Sequence, residues 1–69
     1  MKTIAEVIKE NRKRMGLTQA QLAFYANVSP KFIIELEKGK ETIELHKLFD
    51  VLNVFDLTIN IISKKEATI

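Results

Sequence analysis

The residues whose types and spacing could do chemistry are concentrated between Thr18 and Lys40, TQAQLAFYANVSPKFIIELEKGK. This stretch alone joins two short capped helices to an outward polar face. Counting 100° per residue, Lys31, Ile34, Glu35 and Lys38 point to one side of a helix, and Ile33, Leu36 and Glu37 to the other, with Phe32 at the edge. Taken alone, Lys31 and Glu35 read as a solvated i, i+4 ion pair worth about 0.3–0.5 kcal/mol. Glu37 sets a stricter requirement, because a carboxylate on an inner face is costly without a cation. Arg12 is the candidate partner.

Catalysis has no comparable footing. His46 is the single histidine and reads as an exposed polar residue near a helix start. The carboxylates are scattered over polar faces, and no nucleophile, base and orienting group form a set. The chain has no cysteine, which excludes disulfides and thiolate chemistry and would leave zinc to one histidine and carboxylates. No enzyme activity, cofactor or metal is expected. The first ten residues, MKTIAEVIKE, lack the apolar core of a signal peptide, and no run approaches a bilayer span. The expectation is a cytoplasmic protein without membrane contact.

Charge is unevenly divided. Residues 1–40 hold eight Lys or Arg against four Glu, and residues 41–69 hold three Lys against five acids, so a net +4 half precedes a net −2 half. The positive half contains the stretch from Thr18 to Lys40. Such a bias fits a polyanion partner as well as it fits a solvated surface.

The elements that must position these residues follow from local signals. Thr3–Glu6 and Thr18–Gln21 have capping-box spacing, so helices are expected to begin at each. Ile4, Val7, Ile8 and Met15 make an apolar face on the first, which Gly16 ends. Leu22, Ala23 and Ala26 give the second a small inward face. Asn27 tolerates a left-handed turn, and Ser29-Pro30 caps and starts a third helix running to about Gly39. Leu45, Leu48, Phe49 and Leu52 recur at i, i+3, i+4 and i+7, widened by Val51 and Phe55, which predicts a fourth helix from near Glu44 to Val54 or Phe55. Asp56 stands at its left-handed end. Leu57–Ser63, LTINIIS, changes to period two and is rich in β-branched residues, as a strand would be. It has no second strand to pair with in one molecule, which points to the same strand of a second copy. Residues 64–69 are expected to form a mobile tail.

Arg12, Gly16-Leu17-Thr18-Gln19, Gln21-Leu22-Ala23, Val28-Ser29, Phe32-Ile33, Leu36-Glu37 and Gly39-Lys40 together resemble the helix-turn-helix of the phage repressor and Cro (XRE) family. The continuation GKETIELHKLFDVLNVFDLTINI is similar to the end of HipB-like antitoxins. The resemblance spans about residues 4–62. It implies one all-α domain over residues 1–69, with four to five helices and a C-terminal strand that pairs across a homodimer. It also implies a repressor that sets its third helix, residues 30–38, into the major groove of a palindromic operator, and a HipA-type kinase toxin as a further partner. Asn27 and Asp56 stand where the family usually has glycine. Pro30 and Ile34 stand where many relatives carry polar or basic residues.

By the same resemblance, Gln19 and Ser29 are expected at the phosphate backbone, Ser29 while also capping its helix. Lys31 would donate to guanine, Glu35 accept from a cytosine amino group, and Ile34 meet a thymine methyl or pack on a neighbouring loop. Lys40 is the strongest of several phosphate candidates that include Lys13, Arg14 and Lys38. Phe32, Arg12 and Glu37 are structural in this reading, and Leu57, Ile59 and Ile61 carry dimerisation. Of Phe24 and Tyr25, one would cover the core rim and the other mark a partner surface. Two alternatives stand beside the antitoxin: a stand-alone phage-type or housekeeping regulator, and an interaction module that mainly binds a partner protein.

Overall fold

The computed structural model describes residues 2–60. Four helices follow one another: α1 (Ile4–Arg14), α2 (Gln19–Ala26), α3 (Pro30–Glu37) and α4 (Leu45–Val54). Three begin on side-chain caps. Thr3 and Thr18 each accept from the backbone N–H three residues on, and the Glu6 and Gln21 side chains accept in return from the Thr3 and Thr18 amides. Ser29 caps α3 with Pro30 in the first turn, where a missing N–H costs nothing. Glu44 precedes α4 without a side-chain cap.

All four helices stop in the same way. A left-handed residue follows each one: Gly16 (φ 71°), Asn27 (φ 59°), Gly39 (φ 87°) and Asp56 (φ 58°). Beyond each, an amide folds back onto a carbonyl five residues earlier: Leu17 to Arg12, Val28 to Ala23, Lys40 to Glu35 and Leu57 to Leu52, at 2.9–3.1 Å. This is the Schellman arrangement, which satisfies carbonyls left over at a helix end and turns the chain sharply. The connections can therefore be short.

The core is Ile8 of α1, Leu22, Ala23 and Ala26 of α2, Ile33 and Leu36 of α3, and Leu48, Val51 and Leu52 of α4. α2 packs on both α3 and α4, and its two buried alanines, Ala23 and Ala26, permit the close approach; α1 packs on α3. Phe32 is half-buried at the core edge, with Lys47 Nζ 5.9 Å above its ring.

The structure corrects several expectations. Ile4, Met15, Leu45 and Phe49 have the helical spacing of core residues but are exposed. Ile4 and Leu45 lie in the first turns of their helices and Met15 just past the last turn of α1. A chain this small has too few elements to cover every apolar position. Phe24 and Tyr25 are 81% and 62% exposed, so neither covers the core rim; their rings meet edge to face at 5.7 Å. Among the described residues there is no strand. Residues 57–60 do alternate, Leu57 and Ile59 half-buried against the core and Thr58 and Asn60 exposed, but no second strand offers a ladder. Ile61 and the rest of the expected strand and tail lie outside the described residues.

Asn27 and Asp56 carry side chains in a conformation that favours glycine. Asp56→Gly is expected to raise the unfolding free energy by about 0.5 kcal/mol, relief of left-handed strain exceeding the added freedom of the unfolded chain. Asp56→Ala should lower it by about 1 kcal/mol. Urea unfolding of the two variants should move in opposite directions.

Candidate nucleic-acid interface

The outward face of α3 is built by fixing its inward face. Ile33 and Leu36 are buried, and Glu37 between them and solvent has a side chain only 3% exposed. Its charge is met by Arg12, whose side chain is 12% exposed. Arg12 Nε donates to Glu37 Oε2 at 2.7 Å and Nη2 to Oε1 at 3.0 Å, a two-pronged contact that fixes direction as well as distance. The remaining Arg12 nitrogen, Nη1, donates to the Leu17 carbonyl at 2.8 Å, and Gln19 Nε2 donates to Glu37 Oε1 at 3.2 Å. One carboxylate thus joins the last turn of α1, the loop after it, the first residue of α2 and the end of α3. Every buried side-chain polar atom among the described residues has a partner.

With that face held, Lys31 and Ile34 are exposed on the other side of α3, and Glu35 is half-buried between them and the helix end. Ser29 Oγ accepts from the Phe32 amide at 3.1 Å, so its hydroxyl proton stays available for donation. Lys40 does not stand apart from the helix. Its Nζ lies 2.8 Å from Glu35 Oε2, while Lys31 Nζ lies 3.9 Å from Oε1. The hydrogen bond from Lys40 holds the Glu35 carboxyl below its usual range; partial burial opposes this, and the charges of Lys40, Lys31 and Lys38 add to it.

The structure therefore brings Ser29, Lys31, Ile34, Glu35 and Lys40 together on and beside α3, and ties Gln19 to them through Glu37. Leu57 and Ile59 sit apart, against the core beyond α4. Lys13, Arg14 and Lys38 make no ion pair among the described residues and remain exposed. Two contacts were not foreseen from the sequence. Gln19 spends its amide on Glu37, and Lys40 returns to Glu35 because Gly39 turns the chain back. The glycine was the available signal for the second. Among the described residues no group of His, Cys, Asp and Glu side chains is arranged to hold a metal ion, and no helix is long and apolar enough to cross a membrane.

Removing Glu37 leaves a largely buried Arg12 charge without its counterion, held only by the Leu17 carbonyl. Glu37→Ala is expected to cost about 3 kcal/mol or more, a large share of the roughly 3–10 kcal/mol available to a chain of this size. The double change Arg12→Met with Glu37→Leu should be less damaging than Glu37→Ala alone. Thermal unfolding followed by circular dichroism separates these outcomes.

Comparison with known proteins agrees with this geometry. A helix-turn-helix family model matches residues 8–62. An uncharacterized HTH-type transcriptional regulator, y4mF, of Sinorhizobium fredii is 35% identical over 63 residues, covering 91% of this chain and 83% of the relative. A solved structure titled "MDT Protein" superposes with a TM-score of 0.76 over 93% of this chain and 94% of the other; at 21% identity it supports the fold alone. With a four-helix fold that presents a capped, outward-facing α3, the chain belongs to the XRE-type helix-turn-helix family of DNA-binding transcriptional regulators.

Proposed function

We propose that this protein is a cytoplasmic, homodimeric repressor that reads a near-palindromic operator, its two α3 helices entering successive major grooves about 34–36 Å apart. The observation that carries this is the two-sided build of α3, whose inner face is locked by Ile33, Leu36 and the Arg12–Glu37 pair while Lys31, Ile34 and Glu35 face outward. In this reading Lys31 donates to guanine, Glu35 accepts from a cytosine amino group and Ile34 meets a thymine methyl. Ser29, the start of α2 at Gln19, and Lys40 hold phosphates.

The dimer is supported by the alternation at the end of the described chain. Leu57 and Ile59 are half-buried, and the backbone of residues 58–60 has no ladder partner among the described residues. Pairing with the same segment of a second chain, continued through Ile61, would satisfy those groups. An antitoxin role with a HipA-type kinase partner rests on the resemblance of residues 39–61 to HipB-like proteins. The exposed Phe24–Tyr25 pair gives that role a surface.

Operator selection from random DNA with the purified protein should return a two-fold symmetric site. On that site, log K should fall linearly with log salt as phosphates are neutralised. A monomer at micromolar concentration with no salt-dependent DNA affinity would falsify the reading. Lys31→Ala should relax preference at one base position at a cost of about 1–3 kcal/mol; equal weakening on every sequence would put Lys31 on phosphate instead. Ile59→Pro removes one strand donor and should dissociate the dimer, seen by light scattering as a halved mass with α-helical content retained.

A further inference from the structure

Glu35 is a negative charge on the face that the proposed function turns toward a polyanion. It stands between two cations. Lys40 Nζ donates to its Oε2 at 2.8 Å, and Lys31 Nζ lies 3.9 Å from its Oε1. The arrangement is set by backbone geometry. Gly39 takes a φ of 87° and the Lys40 amide donates to the Glu35 carbonyl at 3.1 Å, so the residue after the helix is laid back over the carboxylate. Lys31 stands one turn earlier on the same face. Both lysines are candidates for contact with DNA; Lys40 is hydrogen-bonded to this acid, and Lys31 is drawn to it by charge alone.

We propose that Glu35 is a specificity gate: it occupies Lys40 and Lys31 in the free protein and yields them when a base-edge donor, such as a cytosine amino group, takes its carboxylate. This rests on the DNA-binding reading above. A non-cognate duplex offers phosphates but no donor at that position. Engaging it draws Lys40 from the Glu35 carboxylate toward phosphates, which weakens their ion pair and brings the carboxylate against phosphates with no base-edge donor to compensate. A cognate duplex supplies the replacement donor, so the same lysines are released without stranding the acid. The gate raises discrimination by penalising wrong sequences, which matters because a regulator's useful quantity is the ratio of specific to non-specific affinity.

The test uses the full chain and two duplexes, the selected operator and a scrambled one, titrated by fluorescence anisotropy across salt concentrations. Variants are Glu35→Gln, Glu41→Gln as a control that removes an equal charge beside Lys40 but off α3, and Lys40→Met alone and combined with Glu35→Gln. Circular dichroism checks that each is folded. Glu35→Gln is expected to tighten binding to the scrambled duplex by roughly five- to tenfold at low salt and to steepen its salt slope by about 0.9 for each lysine released. The operator should gain less, so the affinity ratio drops about fivefold, an order of magnitude set by a single charge pair. Much of this gain should vanish in the Lys40→Met background. The gate is overturned if Glu35→Gln and Glu41→Gln tighten both duplexes by one common factor, or if the Glu35→Gln gain is the same with and without Lys40. A wild-type chain that binds neither duplex overturns the DNA-binding reading and the gate with it.

Discussion

The bidentate contact between Arg12 and Glu37 is the constraint on which the geometry of α3 depends. Apolar packing alone gives α3 a buried stripe, but it does not strongly resist rotation or sliding, because hydrophobic burial has no direction. Two hydrogen bonds to one guanidinium do resist it. They tie the last turn of α3 to the last turn of α1, and through Gln19 and the Leu17 carbonyl they also fix where α2 begins. Few large side chains are fully buried here, so a polar clamp supplies definition that a larger core would supply by interdigitation.

Much of this scaffold is legible in the sequence because its signals are local. Capping boxes at Thr3 and Thr18 and the Ser29-Pro30 start depend on neighbours three residues apart, and all three are present. The left-handed ends at Gly16, Asn27, Gly39 and Asp56 are equally local. Periodicity was a poorer guide to burial. Ile4, Met15, Leu45 and Phe49 keep helical spacing yet are exposed, since spacing reports which way a residue points and not whether another element is there to meet it. The segment after Asp56 shows the converse limit. Alternation is visible in Leu57 and Ile59, but a strand is a relation between two chain segments, and among the described residues no second segment meets this one.

The candidate site divides along the same line. A charge on the inner face required a cation, and Arg12 stands there although 25 residues separate the pair. The outward face was legible as a list of residue types without its internal pairings. Apart from a base, the partner that spacing offered Glu35 was Lys31 four residues before it; its shorter contact is with Lys40, five residues after it and beyond the helix end. No helical wheel contains that residue. It is placed by the glycine that reverses the chain.

The exposed pair on α2 has a consequence of its own. Tyr25 is the single tyrosine of a chain that contains no tryptophan. Its ring stands in water with Phe24 as its edge-to-face neighbour, on the side of α2 away from the buried Leu22, Ala23 and Ala26. Excited beyond the absorption band of its four phenylalanines, the protein therefore emits from one surface location. Quenching and emission anisotropy, usually blurred over many fluorophores, here describe the solvation and freedom of a single ring, and the molecule carries its own optical probe for whatever comes to rest on that helix.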